Sequence, residues 1–375
     1  MNEDRIFLSS PHMSDEGYEM QYIKEAFETN WIAPLGKNVS EFEREFAQLI
    51  GMKAAIALSS GTAAVHMALK AAEVGEGDIV FCQSLTFSAT ANPIIYQNAV
   101  PVFIDSDEQT WNISPTALEE AFTKYEKMGK KPKAVIVVHL YGLTCDMQQI
   151  IQLCRDKQVT LIEDAAESLG SRYRDKATGT LGDYGVFSFN GNKIITTSGG
   201  GMLVSEREER MDKVRFWSTQ ARDPGRHYQH SELGYNYRMS NILAGIGRGQ
   251  LKVLQDRIDK KKQIYEFYTK EFHDITDITM MPVNDWCEPN YWLSCIRLQG
   301  RIKPMDIIMA LEKENIEARP IWKPMHLQPY YEKYDYIGGS TAEQIFTAGV
   351  CLPSDTKMTE DALTRVTGII KGLWK

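Results

Sequence analysis

A lysine set among turn and small residues is the first group along this chain placed to do chemistry. In Phe187-Ser188-Phe189-Asn190-Gly191-Asn192-Lys193-Ile194-Ile195-Thr196-Thr197-Ser198-Gly199-Gly200-Gly201, an apolar run gives way to Asn-Gly, then to Lys193, then to hydroxyl residues and three glycines. Turn chemistry and small neighbours let such a lysine face a cavity, although a loop lysine is ordinarily a solvated surface charge. A carboxylate upstream changes that reading. Val159-Thr160-Leu161-Ile162-Glu163-Asp164 reads as a buried strand that delivers Asp164 at its carboxyl end, 29 positions before the lysine (193 − 164). A third feature suits the pair. After the apolar run Ala54–Leu58, Ser59-Ser60-Gly61-Thr62-Ala63-Ala64 opens a helix, and N–H groups at a helix start attract phosphate. Alone, this is an ordinary N-cap, and it is neither a Walker loop nor a Gly-x-Gly-x-x-Gly fingerprint. Together the three meet the needs of pyridoxal phosphate: a lysine amine for its aldehyde, a carboxylate to keep its ring nitrogen protonated, and an anion pocket. In that reading Gly61, Thr62 and Ala63 are the phosphate donors.

These residues need a scaffold that brings strand ends together. Strands predicted at Ala54–Leu58, Asp78–Cys82, Pro101–Ile104, Ala134–Leu140, Val159–Asp164 and Tyr184–Phe189 alternate with helices, among them Ser114–Lys127 and Met147–Lys157. Such alternation implies an α/β fold with a mostly parallel sheet, whose ligands bind beyond the carboxyl ends of the strands. Ser59, Phe87, Asp164 and Lys193 all fall at such ends, and Phe87 could lie flat on a cofactor ring. Ser14 is a candidate N-cap for a first helix through Tyr18, Tyr22, Ile23 and Phe27. Ser240 caps a predicted long helix reaching Phe272. Beyond it, strands at Tyr291–Leu298 and Ile316–Arg319 and helices at Lys303–Asn315 and near Ala342 and Leu363 make a smaller α+β unit. The expected division is residues 1–250, a large cofactor domain with an N-terminal arm, and 251–375, a small domain.

Composition narrows the function classes. The 375 residues exceed one ordinary core. A net charge of −8 argues against nucleic acid or an anionic membrane as partner. Six cysteines without a Cys-x-x-Cys spacing read as reduced, buried thiols rather than a disulfide framework or metal site. His139, His227 and His230 lack metal-ligand spacing, so no metal is expected. With no apparent leader and no apolar stretch of about 18 residues, the expected location is the cytoplasm.

The segments Glu163-Asp164-Ala165-Ala166-Glu167-Ser168-Leu169-Gly170 and Ser188-Phe189-Asn190-Gly191-Asn192-Lys193 resemble the DegT/DnrJ/EryC1/StrS family of sugar aminotransferases, and the resemblance runs over nearly the whole chain. It implies the aspartate aminotransferase-like fold (fold type I) and pyridoxal 5'-phosphate on Lys193. Ser188 would join the cofactor site, and Phe87 would stack on the ring. It implies a homodimer in which Asn236 reaches the partner's cofactor phosphate. Trp31 and the platform Arg319-Pro320-Ile321-Trp322-Lys323-Pro324-Met325-His326 would meet a sugar nucleotide through Trp31, Arg319, Lys323 and His326. Arg238 would either hold an anion or serve as a structural ion-pair residue. Glu167, where many members carry glutamine or histidine, would sit near the cofactor's phenolic oxygen in its protonated form. Trp217-Ser218-Thr219-Gln220-Ala221-Arg222 and Trp322–His326 look most like the bacillosamine-type branch, which aminates C4 of a UDP-linked 2-acetamido-2,6-dideoxy-hexos-4-ulose with L-glutamate as donor. Three rivals remain. One is an aminotransferase for a different, dTDP- or GDP-linked, keto sugar; another is the deoxygenating branch, which carries histidine in place of Lys193; the third is a sugar-nucleotide-binding regulator without turnover.

Overall fold

The computed structural model describes residues 5–374. In chain order its strands are β1 (Ala54–Leu58), β2 (Ile79–Gln83), β3 (Val100–Ile104), β4 (Ala134–Val138) and β5 (Thr160–Asp164). A small hairpin, β6 (Arg172–Tyr173) and β7 (Lys176–Ala177), precedes β8 (Tyr184–Ser188) and β9 (Gly201–Ser205). Further on come β10 (Ile278–Met280), β11 (Cys287–Glu288), β12 (Ser294–Leu298), β13 (Arg319–Pro320), β14 (Tyr336–Ile337) and β15 (Gly349–Leu352). Eight strands form one sheet in the order β1-β9-β8-β5-β4-β2-β3-β14. Every pairing from β8 across to β14 is parallel, and only β9 runs against its two neighbours. Helices on both faces explain the unbroken apolar runs: all five residues of β4, Ala-Val-Ile-Val-Val, are buried.

Three helix starts follow serine caps, and a fourth is displaced from its candidate serine. Ser60, Ser114 and Ser240 each accept the N–H three residues on, opening α3 (Gly61–Ala71), α5 (Pro115–Lys127) and α8 (Asn241–Leu251), between which lie α4 (Ser88–Tyr96), α6 (Met147–Asp156) and α7 (Glu208–Ser218). The first helix, α1 (Tyr18–Glu28), instead begins after Gly17. Ser14 lies a turn earlier, where its hydroxyl accepts the Tyr18 N–H and donates to Glu19. It still satisfies an orphan N–H, from outside the helix.

The long helix expected to run from Ser240 to Phe272 is two helices, α8 and α9 (Leu254–Phe272). Between them the N–H groups of Lys252 and Val253 turn back to the carbonyls of Gly249 and Gln250, three residues earlier, which tightens the backbone and ends the first helix. Packing explains the glycines in α8. A Cβ on Gly247 would fall 2.5 Å from the Phe42 ring of α2 (Lys37–Ile50), so the bare backbone lets the two helices touch.

The boundary near residue 250 is crossed by the chain more than once. β10, β12, β15 and β13 make a separate four-stranded sheet covered by α9 and by the terminal helix Glu360–Gly372. Yet β14 extends the edge of the large sheet beside β3, and β11 pairs with the β6–β7 hairpin. From the N-terminal side, Ile6 bridges Ile316. Among the described residues, no helix is long and apolar enough to cross a membrane, and no group of three or more metal-ligating side chains occurs.

Candidate active site

The carboxyl ends of β1, β2, β5 and β8 open onto a cavity of about 300 Å³. Gly61, Thr62, Phe87, Asp164, Glu167, Ser188 and Lys193 all line it. At the start of α3, the Ala63 N–H is taken by the Ser60 hydroxyl at 3.0 Å. That corrects one expectation: Ala63 has no N–H to offer an anion. The N–H groups of Gly61 and Thr62 have no protein acceptor among the described residues, as helix geometry requires of first-turn donors. A Cβ on Gly61 would lie 2.9 Å from Cβ of Ser188, so glycine keeps this cradle open.

Asp164 sits at the far end, buried. One carboxylate oxygen accepts from the Thr90 hydroxyl at 2.7 Å and the other from the Ala166 N–H at 3.1 Å. Burial pushes its pKa up, opposed by those two donors and by the charge of Lys193. A carboxylate so placed lacks a close cation, and a protonated ring nitrogen would supply one. The donor set and the cavity therefore fit pyridoxal phosphate: a cradle of free N–H groups, a lysine amine, and a buried carboxylate opposite.

Lys193 follows a turn closed by its own N–H on the Asn190 carbonyl. Its Nζ lies 3.7 Å from Glu167 Oε1 and 4.1 Å from the centre of the Trp292 ring. Glu167 thus points into the cavity, and its other oxygen accepts the Tyr141 N–H at 2.7 Å. Burial raises its carboxyl to about 7, with Asp164 adding like charge, while Lys193 and the Tyr141 N–H pull the other way. Tyr141 reaches this position with a left-handed backbone (φ 55°), and its hydroxyl accepts the Trp322 N–H at 3.2 Å. Trp292 and Trp322 both line the cavity, and the Trp322 ring lies 5.4 Å from that of Phe87.

Other expected contacts lie elsewhere in this subunit. Arg238 is buried in an ion pair with Glu43 at 2.7 Å and also donates to the Ala57 carbonyl, so of its two readings the structural ion pair is the one observed. The substrate role for Arg238 is corrected accordingly. His326 has both ring nitrogens engaged, by Ser84 at 2.7 Å and Glu343 at 3.2 Å, and stacks on Tyr336. It locks the Trp322 segment to the end of β2 rather than facing a ligand. Arg319 is exposed and paired with Glu317, and Lys323 is exposed just beyond Trp322. Trp31 is half-exposed beside Leu35 and Asn241, away from this cavity. Asn236 is exposed and bridges Thr219, also outside its own subunit's cavity. Sequence reasoning missed Thr90, Tyr141 and Trp292. Trp292 could have been noticed only as one more apolar residue entering a strand, since nothing local ties it to Lys193.

Comparison with known proteins agrees with this geometry. Residues 14–371 match the DegT/DnrJ/EryC1/StrS aminotransferase family. The chain is 52% identical over 374 residues to the putative pyridoxal phosphate-dependent aminotransferase EpsN of Bacillus subtilis (strain 168), covering 99% of this chain and 96% of that protein. It is 37% identical to the GDP-perosamine synthase of Caulobacter vibrioides, with 96% of each chain covered. Among solved structures, a DegT DnrJ EryC1 StrS aminotransferase from Brucella abortus superposes with a TM-score of 0.89 at 27% identity, over 96% of this chain and 95% of the other.

Proposed function

The chain belongs to the DegT/DnrJ/EryC1/StrS aminotransferase family and uses pyridoxal phosphate; from that premise we propose that it transfers the amino group of L-glutamate to the keto carbon of a nucleotide-linked 4-keto-6-deoxy sugar. The products are 2-oxoglutarate and the 4-amino sugar nucleotide. The convergence of Lys193, Asp164 and the free N–H groups of Gly61 and Thr62 on one cavity carries this reading.

When bound, the cofactor supplies an electron sink for the carbanion left when a Cα–H bond breaks. The residues of the chain do the remaining work. Lys193 is the residue that would hold the cofactor, and its Nζ, when free, would carry the proton lost from and returned to the substrate carbon. Asp164, oriented by Thr90 and the Ala166 N–H, keeps the ring nitrogen protonated. Gly61, Thr62 and Ser188 would hold the phosphate, and Phe87 would pack against the ring. Glu167, kept largely protonated below its raised pKa of about 7, donates a hydrogen bond into the site instead of adding a second negative charge beside Asp164.

A homodimer completes the site in this proposal, with Asn236 from one subunit reaching the phosphate held by its partner. Its exposed position outside its own cavity supports that role. So does the exposed apolar group Phe27, Trp31, Ile32 and Leu35 at the end of α1, larger than scattered surface residues require. In this proposal Lys323, exposed just beyond Trp322, would meet the diphosphate of the sugar nucleotide. All six cysteines are buried and unpaired, which supports a reducing, cytoplasmic setting.

For the sugar, we favour the UDP-linked 2-acetamido-2,6-dideoxy-hexos-4-ulose, on the resemblance of Trp217–Arg222 and Trp322–His326 to the bacillosamine-type branch. A GDP-linked keto sugar is the competing reading, and the 37% identity to a GDP-perosamine synthase favours it. Incubating the enzyme with glutamate and UDP-, GDP- and dTDP-linked 4-keto sugars, with products identified by mass and NMR, separates them. Turnover of the GDP-linked sugar alone overturns the UDP assignment and leaves the aminotransferase intact. No turnover with any of them, and no cofactor absorbance, overturns the enzyme reading in favour of a regulator.

A further inference from the structure

We propose that Lys261, which does not line the cavity, is a positioning residue that orients Lys193 by holding the Trp292 indole and the Asn192 carbonyl in register. The proposal rests on Lys193 as the amine that takes part in transamination.

Lys261 lies on α9 with 2% of its surface exposed. Its ammonium uses all three donors: to the Trp292 carbonyl at 2.8 Å, the Ser354 carbonyl at 2.7 Å and the Ser9 hydroxyl at 3.2 Å. Two of those three acceptors lead to one atom. The Trp292 indole N–H donates to the Asn192 carbonyl at 2.7 Å, and the Ser9 hydroxyl donates to the same carbonyl at 3.3 Å. Asn192 is the residue before Lys193. A closed ring therefore runs from Lys261 through Trp292 to Asn192 and back through Ser9. The face of the Trp292 ring meets the Lys193 Nζ, at 4.1 Å from its centre. The ring joins four distant parts of the chain, namely the N-terminal arm, the loop after β8, α9 and the entrance to β12.

A lysine is a costly choice for mere packing here. Burial pulls its pKa down to about 7, with Arg257 opposing its charge and Asp355 favouring it. An apolar residue of similar volume would remove that cost, and buried charges replaced in this way commonly leave a fold as stable or more so. What an apolar residue cannot do is hold three acceptors at once. A displacement of about 1 Å at a reacting group is enough to lower turnover about a hundredfold.

The test is Lys261→Met and Trp292→Phe in the full-length protein, singly and together. In Lys261→Met, kcat should fall about ten- to hundredfold, while KM for glutamate and for the sugar nucleotide stays within about twofold, because the residue touches neither. A second readout needs no turnover. In the cofactor-free protein, amide hydrogen exchange across residues 190–197, including the Lys193 N–H bonded to Asn190, should accelerate about tenfold, with the rest of the chain unchanged. Trp292→Phe keeps a ring but loses the indole donor, so it should accelerate the same peptide, and the double variant should show little beyond the larger single effect. Unchanged exchange in 190–197 in both variants, or effects that multiply, overturns the proposal. If Lys261→Met does not fold, Trp292→Phe decides alone, and exchange as in the wild type overturns it. Failure of the Lys193 assignment shows up separately, as cofactor fixed by borohydride to another lysine, while the exchange data still report on the ring of contacts.

Discussion

Glu167→Gln isolates a buried proton. Burial first, then the like charge of Asp164, raise the Glu167 carboxyl from an ordinary value of 4.5 to about 7, against the pull of Lys193 and the Tyr141 N–H. A folded-state value above the unfolded one means that the folded chain binds this proton more tightly. The stability it contributes is complete below about pH 4.5, falls as pH rises, and is gone once pH passes about 7. At about 1.4 kcal/mol for each pH unit separating the two values, the loss amounts to about 3 kcal/mol. Glutamine has nearly the same shape, can accept the Tyr141 N–H through its amide oxygen, and does not titrate. Urea unfolding of cofactor-free wild type and variant from about pH 5 to pH 8 reads the effect as a difference in which the other carboxylates cancel. The gap should open in favour of glutamine by about 1 kcal/mol per pH unit up to pH 7 and then level off. A gap that stays constant, or that closes as pH rises, refutes the reasoning, since a closing gap would mean an ionised Glu167 stabilised by Lys193. In the holoenzyme, Glu167→Gln should retain most of its turnover. Severe loss with cofactor still bound would show that the carboxylate's charge or proton exchange is needed.

Borohydride reduction and peptide mapping should place the cofactor on Lys193, and Lys193→Ala should abolish transamination; label on another lysine removes the assignment. Arg238→Ala leaves Glu43 buried with only Arg215 and the Ala57 N–H as partners, so urea unfolding should show a loss of about 3 kcal/mol. A raised KM for the sugar nucleotide at unchanged stability would restore Arg238 as an anion contact. Lys323→Ala should raise KM for the sugar nucleotide about ten- to hundredfold, as expected of one charge-assisted contact, with little change for glutamate. An equal loss for both substrates would point to a disturbed fold. Mixing Lys193→Ala chains with a strongly impaired Asn236 variant should restore partial activity through mixed dimers; no recovery, with subunit exchange demonstrated, rules out the shared site.

The legible part of the site was the part carried by local signals. Asp164 and Lys193 stand at the ends of apolar runs, and Ser60 caps a helix at a glycine, so strand-end reasoning brings them together from the sequence alone. What stayed hidden depends on contacts between distant segments. Trp292 and Lys261 belong to stretches that read as plain strand core and helix, and only the packing of distant segments sets Trp292 against Lys193 and Lys261 against the Trp292 carbonyl. Arg238 is the case that local signals leave open: its place in a polar loop suits an anion contact or a structural ion pair equally, and Glu43, 195 positions away (238 − 43), settles it as the pair. The break between α8 and α9 was invisible because apolar spacing continues across it. The two-residue β14 is too short for any periodicity to announce it.

That short strand bears on how members of this family can be recombined. Backbone N–H groups of Phe103 and Asp105 are satisfied by the carbonyls of Asp335 and Ile337. A chain ended near residue 250, or given a foreign C-terminal third, would expose those donors along an apolar edge open to pairing with other chains. Exchanging the whole C-terminal third to transplant sugar preference therefore also exchanges the selvage of the large sheet. A graft confined to Arg319–Gln328 carries the segment proposed to meet the sugar nucleotide and leaves that edge stitched as it is.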